Sequence, residues 1–183
     1  MKKKNVKKKY TFAVLAADIV LFTVLHDALH VLLIKMKKKP FEGLWAAPGG
    51  LLKPNEAPND AAKRILKEKT GIGDVYLEQL YTFGKVSRDP FGRVVSVAYL
   101  GLVPAFRVHL KTTKEYSDIS WMPTDTSTPL AYDHREIVSA GVSRLQGKLT
   151  YTNIVSHLLL DTFTLGELQH LYEIVLKKKF DKR

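Results

Sequence analysis

Residues 49–56 (GGLLKPNE) and 64–72 (RILKEKTGI) are the two stretches that decide the fold. They predict a glycine turn, a loop that carries Glu56, and a short helix that ends at Gly71, because glycine readily adopts the left-handed conformation just past a helix. Asn59 is a residue type that caps helices, so we expect it to cap this one. The chain therefore contains a loop–helix unit with charged side chains at regular positions.

The spacing of this unit resembles the Nudix box, in which Gly, five residues, Glu and seven residues precede Arg-Glu-hydrophobic-x-Glu-Glu-x-Gly-hydrophobic. The positions that agree are Gly50, Glu56, Arg64, Leu66, Glu68, Gly71 and Ile72. Two positions depart from the pattern, because Ile65 and Lys69 stand where the box has carboxylates. The resemblance implies an α+β fold, an α/β/α sandwich built around a mixed sheet.

Members of this family cleave nucleoside diphosphates linked to another group, and they hold the required magnesium ion with carboxylates. The resemblance therefore makes Glu56 and Glu68 candidate catalytic and metal-binding residues. Arg64 is a candidate catalytic residue that can pair with Glu68 one helical turn away. Ile65 cannot bind a metal ion, and Lys69 places a positive charge near the position of that ion. Magnesium is thus expected only if hydrolysis survives.

Two interpretations of the altered box stay open on the residues alone. In the first, hydrolysis survives with help from an acid elsewhere in the chain, such as Glu115 or Glu136. In the second, Lys69 contacts a phosphate directly, which favours binding of a ligand over its turnover.

Four further stretches narrow the resemblance to one branch of the family. They are residues 41–48 (FEGLWAAP), 81–99, 130–137 (LAYDHREI) and 163–173 (FTLGELQHLYE). The branch that they resemble contains ADP-ribose pyrophosphatases and Nudix-related transcriptional regulators of NAD metabolism. It implies a regulator that binds ADP-ribose or a related NAD-derived nucleoside diphosphate, with weak or no hydrolysis. The alternatives are a magnesium-dependent ADP-ribose pyrophosphatase and a nucleotide-binding interaction module that retains neither activity.

The loop at residues 83–93 carries two arginines, Arg88 and Arg93. The resemblance makes them candidates for contacting the phosphates of the ligand or for shaping its pocket. The planar guanidinium suits a diphosphate because it donates paired hydrogen bonds. The alternative for both residues is a solvent-exposed loop cation. The other candidate ligand-binding residues are Lys69, Gly49 and Gly50.

Several polar residues outside the box have open roles. Asp18 is a lone acid in an apolar stretch, which favours an edge position or an acid that is paired inside the core over a catalytic role. His134 follows Asp133 at a predicted helix start and is a base, a capping partner or a packing residue. Tyr99 and Tyr132 either stack on an adenine ring or pack in the core.

Apolar periodicity predicts the remaining elements. Strands are expected at residues 11–25, 30–36, 75–82, 94–103, 108–110 and 119–122, with the first two joined as a hairpin. Helices are expected at residues 133–146 and 151–160, and after a capping box that begins at Thr164. The chain then divides into a basic tail at 1–10, a Nudix domain at 11–147 and a partial winged-helix-like segment at 148–183.

The resemblance of the last segment to a winged helix makes DNA a candidate partner. In the branch that it resembles, a recognition helix and a β-wing follow, and the sequence as given ends at Arg183, where that helix is expected to begin. Reading a DNA sequence requires an element that reaches base edges in the major groove. We therefore expect DNA binding by this chain to be weak and dominated by its basic ends. The resemblance also implies a homodimer.

The charge of the chain is concentrated at its ends. The formal net charge is +11, and residues 1–9 hold six lysines without an acid. An extended phosphate-binding face across the body is therefore not expected. The absence of cysteine excludes disulfides, thiolate metal sites and a cysteine nucleophile. Asp18 interrupts the first apolar run, which is shorter than the about 18 residues of a membrane span, so we expect a cytoplasmic protein.

Overall fold

The computed structural model describes residues 12–111 and 113–181. The basic tail expected at residues 1–10, together with Lys182 and Arg183, lies outside the described residues. Within these ranges the strands are β1 Val14–Leu25, β2 Ala28–Met36, β3 Trp45–Ala46, β4 Gly49–Leu51, β5 Tyr76–Phe83, β6 Val94–Leu102 and β7 Tyr116–Pro123. The α-helices are α1 Pro58–Thr70, α2 His134–Lys148 and α3 Leu165–Leu176.

The strands form one mixed sheet, as expected. The main order is β3-β2-β1-β6-β5, with β4 paired to β1 and β7 paired to β2. β1 and β6 run parallel, whereas β1 is antiparallel to β2 and to β4. The predicted hairpin between β1 and β2 is confirmed. It turns through His26 and Asp27, whose φ angles of 47° and 56° suit a tight two-residue turn.

Helices cover both faces of this sheet. β1 is buried on both sides, which is why its apolar run is nearly continuous instead of alternating. Ile19 packs with Leu66 of α1 on one face, and Phe22 packs with Ile137 of α2 on the other. α2 approaches the sheet closely at Gly141, where an added Cβ would lie 2.8 Å from a methyl group of Val20. The α/β/α sandwich is therefore confirmed.

The start of α1 differs from the prediction, and its end agrees with it. The N-cap residue is Ala57, without a side-chain cap, so the prediction that Asn59 caps this helix is wrong. Pro58 occupies the first helical position, where the missing N–H of proline needs no partner. Gly71 ends the helix with a φ of 77° and donates its backbone N–H to the carbonyl of Lys67. The helix thus ends where the sequence placed its end. The predicted glycine turn is wrong, because Gly49 and Gly50 lie in β4 and pair with β1.

Two other predicted elements are wrong. Residues 108–110 form no strand, because the chain makes a 3₁₀ turn at Ala105–Arg107 and then runs beside the end of α1. There the Cβ of Lys111 would lie 3.8 Å from a Cβ added at Gly71. Residues 151–160 form only a short 3₁₀ helix at Ile154–Leu158, in which two adjacent β-branched residues disfavour an α-helix.

The segment after α2 packs onto the core of the Nudix fold. Leu158 and Leu171 belong to the same buried apolar cluster as Phe22 of β1. α3 begins with the predicted capping box, in which Thr164 Oγ1 accepts a hydrogen bond from the Glu167 N–H at 3.1 Å and the Glu167 carboxylate accepts one from the Thr164 N–H at 2.7 Å. In the described ranges, no helix has the length and apolar character that a membrane crossing requires.

Candidate functional site

A cavity of about 480 Å³ lies where β1, β4, the end of α1 and the loop between β5 and β6 meet. Its volume falls within the range of about 300–1,000 Å³ that is typical of small-molecule sites. Among the described residues, those that bring charge to its wall are Asp18, Lys69, Arg88, Asp89 and Arg93. Both glycines of the predicted turn, Gly49 and Gly50, also line it. The cavity is therefore the candidate ligand site.

Asp18, the lone acid of β1, is paired inside the core. Its Oδ2 atom lies 2.9 Å from Nη2 of Arg88, and Ser96 Oγ donates a hydrogen bond to the same oxygen at 2.6 Å. Arg88 also donates two hydrogen bonds to Asp133, at 2.8 and 2.7 Å. The Arg88 side chain is 3% exposed, so the solvent-exposed alternative is wrong for this arginine. Burial opposes its charge, but the two carboxylates outweigh burial and raise its pKa.

Gly49 makes room for this buried carboxylate. It lies opposite Asp18 in the antiparallel pairing of β4 with β1. A Cβ added at Gly49 would lie 1.9 Å from Asp18 Oδ1, a distance that no side chain can adopt. A Cβ at Gly50 would lie 3.4 Å from Cδ1 of Ile65, which is an ordinary contact. Of the two neighbouring glycines, only Gly49 is therefore required to lack a side chain by its contacts.

His134 is a buried neutral residue at the start of α2. Its Nδ1 atom accepts a hydrogen bond from the backbone N–H of Ala47 at 2.9 Å. The neutral ring therefore carries its proton on Nε2, which lies 3.7 Å from Asp18 Oδ1. Burial lowers the pKa of His134. This geometry links the connection between β3 and β4 to the buried carboxylate and gives His134 a positioning role.

Lys69 enters the cavity from the last turn of α1. Its ammonium lies 5.1 Å from the centre of the Tyr116 ring. Its Cε atom would lie 3.8 Å from a Cβ added at Gly50, so the lysine chain runs across that glycine. Burial lowers the pKa of Lys69, while the charges of Glu115 and Asp18 act in the opposite direction. The ammonium thus borders an aromatic ring and the open cavity.

Three more residues of the cavity wall are Phe91 and Arg93, in the loop between β5 and β6, and Tyr132, just before the start of α2. Arg93 is exposed and lines the cavity mouth. Phe91 beside it is 74% exposed, which is unusual for a large aromatic ring. Tyr132 has a φ of 55° and packs on Phe41 with ring centres 4.2 Å apart. A positive φ at a tyrosine is uncommon, and such strain is concentrated at functional sites.

Glu56, Arg64 and Glu68 come together in an ion cluster that does not line the cavity. Arg64 Nε lies 2.6 Å from Glu56 Oε1, and its Nη2 lies 2.8 Å from Glu56 Oε2. Its Nη1 lies 3.0 Å from Glu68 Oε2, which confirms the pairing expected along the helix. The hydrogen bond from Arg64 lowers the pKa of Glu56 to about 2. The fold therefore brings the three candidate catalytic residues into contact with one another, but not into the wall of the cavity that Lys69 and Arg93 line.

The residues present do not fit a magnesium site of the Nudix type. Ile65 is 1% exposed and packs in the cluster between α1 and the sheet. Both oxygens of Glu56 and Oε2 of Glu68 are engaged by Arg64, and Lys69 brings a positive charge to the adjoining wall. In the part of the chain that the structure describes, no group of three or more His, Cys, Asp or Glu residues could hold a metal ion. The described residues therefore do not form the carboxylate cluster that the Nudix box implies.

Sequence reasoning reached some of these residues and missed others. The substitute acids Glu115 and Glu136 are exposed and do not line the cavity. Tyr99 is a core residue, 3% exposed. Asp133, which holds Arg88, was not selected. An acid in a buried strand needs a buried cation, and that rule predicts a partner for Asp18 without distinguishing Arg88 from Arg93 or identifying Asp133.

Comparison with known proteins agrees with this architecture. Residues 14–140 match the NUDIX domain, and residues 155–183 match the NrtR DNA-binding winged helix domain. Over 181 residues the chain is 33% identical to the ADPR responsive transcriptional repressor NtrR of Acinetobacter baylyi, a match that covers 97% of this chain and 72% of the relative.

Two solved structures of Shewanella oneidensis NrtR are also similar. The structure of that protein complexed with a 27mer DNA has a TM-score of 0.82 and 36% identity, over 92% of this chain and 78% of the other. Its NUDIX domain complexed with ADP ribose has a TM-score of 0.68 and 35% identity, over 74% and 90% of the two chains. The chain therefore belongs to the Nudix family, and its Nudix domain is followed by a segment of the NrtR winged-helix type.

Proposed function

We propose that this protein binds ADP-ribose, or a related NAD-derived nucleoside diphosphate, in the cavity beside β1, β4 and α1. In this proposal it acts as a regulator, with weak or no hydrolysis of the ligand. The observation that carries the proposal is the separation of the retained carboxylates from the cavity. Lys69 and Arg93 line the cavity, whereas Glu56 and Glu68 are held by Arg64 outside it.

The chemistry of the cavity wall suits the parts of such a ligand. The ammonium of Lys69 and the guanidinium of Arg93 are donors for the phosphate oxygens. The two glycines allow a ligand to approach the backbone of β4 closely. The rings of Phe91 and Tyr132 offer flat apolar surfaces to an adenine. Arg88 supports the site indirectly, because its hydrogen bonds to Asp18 and Asp133 fix the base of the loop.

The magnesium-dependent hydrolase alternative requires a metal ion that activates water and neutralises the leaving phosphate. Residues that could hold that ion are replaced by Ile65 and Lys69 or engaged by Arg64. Relatives of the regulator type support the sensor proposal, since the matches to the NtrR repressor and to NrtR span more than nine-tenths of this chain. The further proposal of a role in NAD metabolism follows from the nature of the ligand.

One pair of measurements tests the proposal. Thermal unfolding of the purified protein is followed with and without ADP-ribose, and AMP release is followed with ADP-ribose and magnesium. At a ligand concentration of about 100 times Kd, binding adds about 2.7 kcal/mol of stability. For a chain of this size that raises Tm by about 5–10 °C. We expect this shift together with little or no AMP release.

The two failures of this test have different meanings. The absence of any shift at millimolar ADP-ribose would contradict binding. AMP release at an ordinary enzymatic rate, abolished by Glu68→Gln, would establish the hydrolase alternative instead. Ribose 5-phosphate serves as the matched control ligand, and we expect it to give a smaller shift because it lacks both the diphosphate and the adenine.

The proposal also includes DNA as a partner, a homodimer and a cytoplasmic location. The match of residues 155–183 to a DNA-binding winged helix supports DNA as a partner. α3 itself carries Glu167 and Glu173 and no lysine or arginine, so we do not assign it the phosphate contacts. Binding by this chain is expected to weaken steeply with salt, as contacts to phosphates do. Size-exclusion chromatography with light scattering tests the proposed homodimer.

A further inference from the structure

The ammonium of Lys69 is a cation without a carboxylate partner. No carboxylate of the described residues lies within 4.0 Å of its nitrogen. Asp18, which lines the same cavity, is already engaged by Arg88 and Ser96. The ammonium lies over the Tyr116 ring, 5.1 Å from the ring centre. A partly buried charge is stabilised when an anion enters beside it.

The path of the lysine chain directs the ammonium into the cavity. Lys69 begins on the last turn of α1, and its Cε atom passes over Gly50. Ile65, which is buried in the core, lies against the same position, because its Cδ1 would lie 3.4 Å from the Cβ added at Gly50. The two residues that replace box carboxylates therefore act together: Ile65 closes the core beneath β4, and Lys69 extends over it into the ligand space.

The charge of this arrangement complements a diphosphate. Both bridged phosphates of such a ligand are negative, and the cavity offers the two cations Lys69 and Arg93. A divalent ion brought to the same place would meet the Lys69 ammonium and be repelled by it. The carboxylates that would have to attract that ion are held by Arg64 instead.

We propose that the Lys69 ammonium takes the charge-neutralising role of a divalent cation in this cavity, so that a nucleoside diphosphate binds without any metal ion. This inference rests on the proposed function and adds the means by which the site recognises its ligand. Replacement of a box carboxylate by lysine then converts a site that recruits a metal ion into one that carries its own cation.

Isothermal titration of ADP-ribose tests this inference, performed once in EDTA and once in magnesium. The wild-type chain is compared with Lys69→Met, Lys69→Arg and Lys67→Met. Methionine keeps the unbranched chain that crosses Gly50 and removes the charge, whereas arginine restores the charge. Lys67 is an exposed lysine on the same turn of α1 that does not line the cavity, so its variant is the matched control.

We expect the wild-type Kd to agree within about threefold between the two buffers. In EDTA, Lys69→Met should weaken binding by about tenfold or more, the change expected when a charge-assisted hydrogen bond is lost. Lys69→Arg should stay within about threefold of wild type, and Lys67→Met should be unchanged. The thermal unfolding curve of each variant without ligand shows whether it is folded.

Each contrary result has one meaning. Binding by the wild type in magnesium but not in EDTA would overturn the inference and leave the proposed function standing. Equal affinity of Lys69→Met and wild type in EDTA would overturn it as well. An absence of binding in both buffers would instead contradict the proposed function, and the inference would fall with it. If Lys69→Met does not fold, the comparison of the wild type in EDTA and in magnesium still tests the inference, because binding that requires magnesium would overturn it.

Discussion

Arg88 and Asp133 are joined by two hydrogen bonds, from Nε at 2.8 Å and from Nη2 at 2.7 Å, that connect the loop after β5 to the start of α2. The same guanidinium lies 2.9 Å from Asp18 on β1. Two carboxylates and one arginine thus share a buried position beside the cavity. Arg93, five residues along the same loop, has no such partners and is exposed. Of the two arginines, Arg88 is therefore engaged within the protein, whereas Arg93 is exposed at the cavity.

Replacement of Arg88 by methionine should therefore destabilise the protein strongly. The change leaves Asp18 and Asp133 buried without their cation, and breaking such a pair reduces the free energy of unfolding by about 3–5 kcal/mol. Arg93→Met is the control on the same loop and should change stability by less than about 0.5 kcal/mol. Urea denaturation measures both. A stable Arg88→Met variant that has lost only ligand affinity would make Arg88 a direct phosphate contact.

Alanine should be tolerated at Gly50 and not at Gly49. The Cβ of Gly49→Ala would collide with the Asp18 carboxylate at 1.9 Å, whereas that of Gly50→Ala would meet Ile65 at 3.4 Å. Overpacking of this kind reduces stability by about 1–3 kcal/mol. We expect such a loss for Gly49→Ala and less than about 1 kcal/mol for Gly50→Ala, both measured by urea denaturation. Similar losses in the two variants would show that the carboxylate moves aside freely.

The ion pair between Glu56 and Arg64 should make stability depend on pH in the acid range. Arg64 lowers the pKa of Glu56 from 4.5 to about 2, so the folded state binds fewer protons than the unfolded state between these values. Stability then rises with pH across this window, and the contribution is lost as pH falls towards the folded-state pKa. Glu56→Gln should flatten the stability profile measured by urea denaturation between about pH 5 and about pH 3.

Arg64→Met removes the other member of the pair and should flatten the same part of the profile. Agreement between the two variants assigns the acid dependence to this pair and not to a distant carboxylate. If Glu56→Gln retains the full slope of the wild type between these pH values, the pair does not persist in solution.

Apolar packing, more than ion pairs, should hold α3 against the Nudix fold. Leu171 is 3% exposed in the main core cluster, and Leu171→Ala should reduce stability by about 2–5 kcal/mol. His170 lies 2.8 Å from Asp27 across the same contact, but both side chains are largely exposed. Asp27→Asn should therefore change stability much less than Leu171→Ala does. Asparagine also tolerates the positive φ of this position.

Urea denaturation at low and high salt distinguishes the two contributions. The loss in Leu171→Ala should be insensitive to salt, whereas the small loss in Asp27→Asn should shrink further as salt screens the pair. A larger effect of Asp27→Asn than of Leu171→Ala would show that the contact is electrostatic.

The sequence by itself determined the family, the mixed-sheet sandwich and the loop–helix unit at residues 49–72. The family and the fold came from the resemblance of the box, and the individual elements follow from local rules that need no tertiary contact. Gly71 ends a helix because of its backbone freedom, Thr164 caps one because its hydroxyl reaches the N–H of Glu167, and continuous apolar strands imply burial on both faces. The altered box at Ile65 and Lys69 was equally visible without coordinates.

Only the tertiary structure decided how the charged residues are distributed. Arg88 and Arg93 look alike in the sequence, yet the fold brings Asp18 and Asp133, which are 115 positions apart, to one of them. Glu56 and Lys69 belong to one sequence motif, yet only the lysine lines the cavity. The physical reason is that the partner of a charged side chain is the group that packing brings within a few ångströms of it. Residues far apart in the sequence meet in this way, and their spacing along the chain does not indicate it.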